Sequence, residues 1–289
     1  MIMASFTNQA RLSYNNTVVN SNRAVGEILD VLTLGKTAVV DTYSRGDDIT
    51  FILNLVNSGT VPLTGITVTD NMGGYPFGTT APVTLYPMTY RDGSVRLYTN
   101  GVLGTPPEAV GSAPVVFSGI TVPAGGNVML IYEAEVNGYA PLAAGDSITN
   151  TASASGAGVT APVTASETIS VAEAPELTIT KTIEPVPVAE NGTLTYTFFI
   201  QNSGNTEAGA ADNVILSDTF DPALSNLSVT YNGAPWTAGT DYPYEQTNGG
   251  FTSAAGAITV PPAVYTQDPA TGEIQITPGS AVVTVSGTV

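Results

Sequence analysis

The sequence has no cysteine and no histidine, only two lysines, five arginines and a single tryptophan. Without cysteine no disulfide forms, and without cysteine and histidine the usual zinc, haem and iron–sulfur sites lose their commonest ligands. No metal or cofactor is expected. A histidine-dependent hydrolytic triad is absent, no glycine-rich phosphate loop precedes a helix, and scattered carboxylates alone specify no glycosidase, so the chain does not read as an enzyme. Seven basic side chains against 24 acidic ones leave a net charge of −17, which argues against nucleic acid as a partner. No run approaches the roughly 18 apolar residues of a membrane helix, so no membrane insertion is expected. Met1-Ile2-Met3 and the following Ala4-Ser5-Phe6-Thr7-Asn8 lack the basic and apolar regions of a signal peptide. Export then follows removal of a signal or another route, such as lysis of the producing cell.

What is present is a β-protein pattern. Over 289 residues, 43% are hydrophobic and only 11% charged, well below the roughly 25% usual for soluble domains. Thr, Ser, Asn and Gly take the surface instead, as in secreted β proteins. Alternating apolar and polar residues, as in Asp48-Ile49-Thr50-Phe51-Ile52-Leu53 and Thr193-Leu194-Thr195-Tyr196-Thr197-Phe198, are broken by Gly, Pro and Asn. The pattern predicts an all-β chain of two tandem immunoglobulin-like sandwiches.

The chain also repeats. Leu32-Thr33-Leu34-Gly35-Lys36-Thr37 returns as Leu177-Thr178-Ile179-Thr180-Lys181-Thr182, Val56-Asn57-Ser58-Gly59 as Gln201-Asn202-Ser203-Gly204, and Ile66-Thr67-Val68-Thr69-Asp70 as Val214-Ile215-Leu216-Ser217-Asp218. The second copy stops at Val289, where the first continues through Ser147-Ile148-Thr149-Asn150-Thr151-Ala152-Ser153. A segment resembling that last strand stands at the other end of the chain, as Ser5-Phe6-Thr7-Asn8-Gln9-Ala10-Arg11. The expected organisation is a donor strand or hairpin with connector over 1–31, a complete domain over 32–172, and over 173–289 an incomplete domain lacking its last strand. An open sandwich exposes unpaired backbone beside a hydrophobic groove. Filling it with the N-terminal strand of another copy gives a head-to-tail homopolymer. Whether a single strand or the whole hairpin through Asn15-Asn16 is donated stays open at this point.

Both lysines occupy the same place in the repeat. Strand phase puts Lys36 with Leu32 and Leu34, Lys181 with Leu177 and Ile179, Asp70 with Ile66 and Val68, Asp218 with Val214 and Leu216, and Asn150 with Ile148 and Ala152. In the donor, Asn8 shares its face with Phe6, Ala10, Leu12 and Tyr14. Each repeat thus directs a Lys, an Asp and an Asn inward, although an unpaired buried ammonium costs several kcal/mol or more. This pattern points to a spontaneous Lys–Asn isopeptide bond: a neutral amine attacks the carboxamide carbon while a protonated Asp polarises the carbonyl and shuttles protons as ammonia leaves. The bonds would be Lys36 to Asn150 within a chain, assisted by Asp70, and Lys181 to Asn8 between chains, assisted by Asp218. The plain alternative is a hydrogen-bonded Lys–Asp pair with an ordinary polar neighbour. Asn57 and Asn202 repeat as well, but their Asn-Ser-Gly setting reads as a turn.

At these Lys-Thr, Asn-Ser-Gly, Val-Thr-Val-Thr-Asp and Ile-Thr-Asn-Thr-Ala segments the sequence resembles the conserved-repeat domain of unknown function found in large bacterial and archaeal surface proteins. Its Lys, Asp and Asn arrangement is similar to that of isopeptide-bonded Gram-positive pilins and adhesins. The resemblance implies a mechanical role outside the cell, on a cell or spore surface. Those pilins usually end in a sortase signal; none ends this sequence, which favours strand donation. A different class of function is a monomeric adhesin or carbohydrate-binding module, for which Arg45-Gly46-Asp47 and the aromatics Tyr75, Phe77, Tyr86, Tyr90, Trp236, Tyr242 and Tyr244 are the candidates.

Overall fold

A computed structural model describes residues 4–28 and 30–289. Met1–Met3 and Leu29, which belong to the segment expected over 1–31, lie outside the described residues. Among the described residues the chain is all-β, with a 3-10 turn at Ala210–Asp212. It divides into two compact units, one holding residues up to 141 and 147–170, the other 142–146 and 171–289.

In the first unit the period-two alternation read from the sequence is the alternation of burial. Asp48–Asn57 buries Ile49, Phe51, Leu53 and Leu55, and Asn127–Val136 buries Val128, Leu130, Tyr132, Ala134 and Val136. These two strands lie side by side with Leu32–Ala38, the lysine strand, at the edge. The other sheet runs Glu108–Val110, Val115–Val122, Leu63–Asp70, Ser147–Ser155, Val163–Val171 and Thr42–Tyr43. Here the aspartate strand, Leu63–Asp70, is interior. Val115–Val122 flanks it on one side, and the asparagine strand, Ser147–Ser155, on the other.

The second unit repeats half of this plan. Its lysine strand, Leu177–Glu184, pairs with Thr193–Asn202, which pairs with Gly279–Thr288. Leu194, Tyr196, Phe198, Ile200, Val283 and Val285 form the core wall on this side. Facing it is a sheet of Ser217–Thr219, Gly250–Thr252 and Tyr244–Glu245. Ser217–Thr219 carries Asp218 and is the second aspartate strand, but it is an edge: Gly250–Thr252 pairs with it on one side, and among the described residues no strand pairs on the other.

The N-terminal segment is a long hairpin. Ala4–Asn8 pairs with Ala24–Ile28, and Arg11–Tyr14 with Thr17–Asn20. The turn is made by Asn15 and Asn16, both left-handed with φ of 45° and 61°, as a two-residue hairpin turn requires. Ser21 stitches the gap between the two paired stretches: its hydroxyl accepts from the Ala10 N–H at 2.9 Å, and its own N–H donates to the Ala10 carbonyl. The ring of Phe6 lies over Gly26, its partner across the ladder, where a Cβ would collide with it. Phe6, Leu12, Tyr14 and Val25 are 54–69% exposed. A two-stranded hairpin alone is at best marginally stable in water, and this ribbon exposes several apolar side chains.

Candidate functional site

Lys36, Asp70 and Asn150 are buried in the first unit, as their strand phases predict. Lys36 and Asp70 form an ion pair whose side chains are fully buried. The Lys36 ammonium also donates to the Tyr132 hydroxyl at 2.8 Å and lies 4.5 Å from the Phe51 ring centroid. Tyr132 in turn donates to the same Asp70 oxygen, while the other carboxylate oxygen accepts the Met72 N–H at 3.0 Å. Burial lowers the Lys36 pKa below its ordinary value; the charge and hydrogen bond of Asp70, and then the charge of Glu167, pull it partly back. Burial, with Asp70 beside it, raises Tyr132 well above its ordinary value, so the phenol stays a donor; its closeness to Asn150 works weakly the other way.

Asn150 is anomalous, as is the Tyr90 hydroxyl, which is also buried without a partner. Asn150 belongs to the sheet that carries Asp70, two residues from Ala152, which lies directly opposite Asp70. The lysine strand packs against its strand. It is fully buried, and although it is near enough to influence Tyr132, neither its amide oxygen nor its nitrogen has a hydrogen-bond partner of proper geometry. Buried polar groups are nearly always paired, and an orphan costs about 1–3 kcal/mol.

The other buried asparagines behave differently. Asn57 donates to the Val61 carbonyl at 2.9 Å and accepts from the Gly59 N–H at 2.9 Å. Asn202 repeats both contacts with Thr206 and Gly204. These are turn-forming side chains, and a Cβ on Gly204 would strike the Ala174 carbonyl oxygen, which is why glycine follows. Among the described residues, Asn150 is the one buried asparagine whose carboxamide is uncommitted.

In the second unit Lys181 again pairs with Asp218 and lies 4.5 Å from the Tyr196 ring centroid, in the same relation that Lys36 has to Phe51. It faces the core side, but it is not buried as its phase implied: its side chain is 40% exposed and that of Asp218 20%. The physical reason is the edge beside it, where among the described residues no strand pairs with Ser217–Thr219 on that side. All eight residues of Leu177–Glu184 are exposed, whereas the first lysine strand alternates and buries Leu32 and Lys36. Leu177, Ile179, Ile200, Val214 and Leu216 line an apolar groove of about 160 Å³ beside the unpaired edge. Asn8 is exposed on the hairpin, opposite Ala24 in the ladder, and Ala10 is exposed two residues on. A single chain therefore assembles the first trio and leaves the second as a lysine–aspartate pair at an open groove.

Tyr132 lies outside the repeated Lys, Asp and Asn pattern of the sequence. Its signal was available: it is an inward tyrosine on a strand whose other inward residues are Val128, Leu130, Ala134 and Val136. Val285 stands across the ladder from Tyr196 where Tyr132 stands across from Phe51, so the second site has no such hydroxyl from that strand.

The alternative candidates also make structural contacts. Arg45 donates to the Gly138 carbonyl, and Asp47 accepts the Ser44 N–H at 2.7 Å, which makes Arg45-Gly46-Asp47 a turn. None of the seven candidate aromatics is exposed. Trp236 stacks on Tyr231, Tyr75 donates to the Tyr139 carbonyl, and Tyr244 donates to the Leu224 carbonyl. Tyr90 is buried against Phe117 and Tyr242 against Phe251.

No protein-family model matches the chain, and no curated protein matches it. Among solved structures it is similar to BcpA, the major pilin subunit of Bacillus cereus, with a TM-score of 0.36, 11% identity, and coverage of 95% of this chain and 73% of that one. It is similar also to the pilus backbone RrgB from Streptococcus pneumoniae, with a TM-score of 0.32, 11% identity, and 86% and 55% covered. The sporulation control protein Spo0M from Bacillus subtilis gives 0.31, 9% identity, and 60% and 74% covered. Likenesses this distant carry no functional argument. The functional reading rests on the chain's own geometry.

Proposed function

We propose that the protein is a structural subunit of an extracellular fibre, built head to tail as the N-terminal hairpin of one copy fills the open groove in the second unit of the next. The observation that carries this reading is the contrast between the two aspartate strands. One is interior and flanked by the asparagine strand; the other is an edge beside an uncovered apolar groove. An exposed hairpin bearing Phe6, Asn8, Ala10, Leu12 and Tyr14 matches what that edge lacks, a strand with an inward asparagine. The pairing of Ala4–Asn8 with Ala24–Ile28 favours donation of the hairpin as a unit.

Covalent locking belongs to the same reading. Lys36, as the neutral amine that its burial favours, attacks Cγ of Asn150; the new C–N bond forms as the carboxamide C–N bond breaks, and Asp70 carries the proton to the departing ammonia. The orphaned carboxamide of Asn150 and the lowered Lys36 pKa support this over a resting ion pair. In the second unit Lys181 and Asp218 would act in the same way on Asn8 of the neighbouring copy. Self-crosslinking is a single turnover, and the protein is otherwise non-enzymatic.

Electron microscopy of the purified protein beside a variant lacking residues 1–28 tests assembly. Filaments from the parent and discrete particles from the truncated chain are expected; discrete particles from both support the monomeric adhesin instead.

A further inference from the structure

Carrying the ladder of the first unit onto the second assigns a task to one residue of the hairpin, and this assignment rests on the donation reading above. In the first unit Ala152 is opposite Asp70 and Ala154 opposite Val68. With Asn8 in the place of Asn150, the same register sets Ala10 opposite Asp218 and Leu12 opposite Leu216. Leu216 lines the open groove with Leu177, Ile179, Ile200 and Val214. We propose that Leu12 is the anchor that selects the N-terminal hairpin of a second copy for this groove and rejects that copy's internal hairpin, Ser147–Val171.

The walls do not supply the selectivity. Leu177, Ile179, Ile200 and Leu216 replace Leu32, Leu34, Leu55 and Val68, so both units offer branched aliphatic surfaces of similar bulk. The difference is in the incoming strand, where leucine stands in place of the fully buried Ala154. The reason is the cost of association. The internal hairpin is tethered to its own sandwich and meets it at high effective concentration, so a small residue suffices. A donated hairpin loses the freedom of a separate molecule and needs an apolar side chain to offset that loss. Leu12 is 65% exposed in the single chain, so it carries unburied apolar surface available for that purpose. An internal hairpin offered to another copy's groove would bring only Ala154, and wrong pairings between copies are disfavoured.

The test uses the full chain with Asn8→Ala, which removes the covalent lock so that assembly reports affinity. Light scattering and electron microscopy give the lowest subunit concentration that yields fibres. Adding Leu12→Ala is expected to raise that concentration on the order of 30-fold or more, the scale of a buried leucine truncation. Leu12→Met, which keeps the volume, is expected to stay within about threefold. Because residue 12 is exposed in the monomer, its variants fold, and circular dichroism of the monomers checks this. Fibres from Leu12→Ala at the unchanged concentration overturn the anchor and leave strand donation standing. If the Leu12 protein forms no fibres even without Asn8→Ala, donation itself fails and the anchor with it.

Discussion

Ala152 lies directly opposite Asp70 in the first unit, and among the described residues no residue lies in that place beside Asp218. The strand that brings Ala152 there also brings Asn150, whereas beside Asp218 the edge is unpaired and Lys181 is 40% exposed. Fold completion and site completion are the same event in this account.

The first prediction concerns the intramolecular bond. Intact mass of the parent is expected to be short by one ammonia per bond formed, and Lys36→Ala or Asp70→Ala restores the lost ammonia of the first unit. The crosslink closes a loop of about 115 residues, worth roughly 4–5 kcal/mol by chain entropy. Asn150→Ala should therefore lower the melting temperature of the first unit by about 10–20 °C. Lys36→Ala should cost more, since it also leaves Asp70 buried without its cation. A parent mass equal to the unmodified chain leaves only the hydrogen-bonded pair.

Much of this was legible in strand phase. Lys36, Asp70 and Asn150 each share a face with apolar neighbours, and all three are buried together. Phase fixes which way a side chain points, not what covers it, and so Lys181 faces inward yet remains half open. Tyr132 escaped notice because an inward tyrosine beside Phe51 looks like packing; only its hydroxyl, shared by Lys36 and Asp70, shows otherwise. The return strand through Val18, Val19 and Val25 was likewise ambiguous, since Asn15-Asn16 lacks the glycine that usually marks a two-residue turn.

The second prediction uses pH. In Asn150→Ala, Lys36 stays a titratable amine with a pKa below 10.5, so the unfolded chain binds its proton more readily and stability rises with pH up to that value. Tyr132 acts oppositely only above its ordinary 10.0, where the unfolded phenol ionises first. Denaturant midpoints should therefore increase in Asn150→Ala as the pH is raised toward 10. In the parent, with Lys36 converted to an amide as proposed, this increase is expected to be absent. Identical pH dependence in the two proteins would mean that Lys36 is free in both.

The third prediction assigns Tyr132 a positioning role. Tyr132→Phe keeps the ring against Phe51 and Phe117 and removes only the hydroxyl between Lys36 and Asp70. Ammonia loss, followed by mass spectrometry after cell-free synthesis, should be at least about tenfold slower, with a stability cost of roughly 1–3 kcal/mol before the bond forms. An unchanged time course with the same stability cost would make the hydroxyl structural only.

The most direct test of the central claim is a boiled denaturing gel of parent fibres beside those of Asn8→Ala, Lys181→Ala and Lys36→Ala. Unfolding destroys burial and main-chain pairing but leaves an amide intact. The account predicts a ladder of multimers for the parent and for Lys36→Ala, and monomers alone for Asn8→Ala and Lys181→Ala. Complete dissociation of the parent fibres to monomers would contradict the bond between copies.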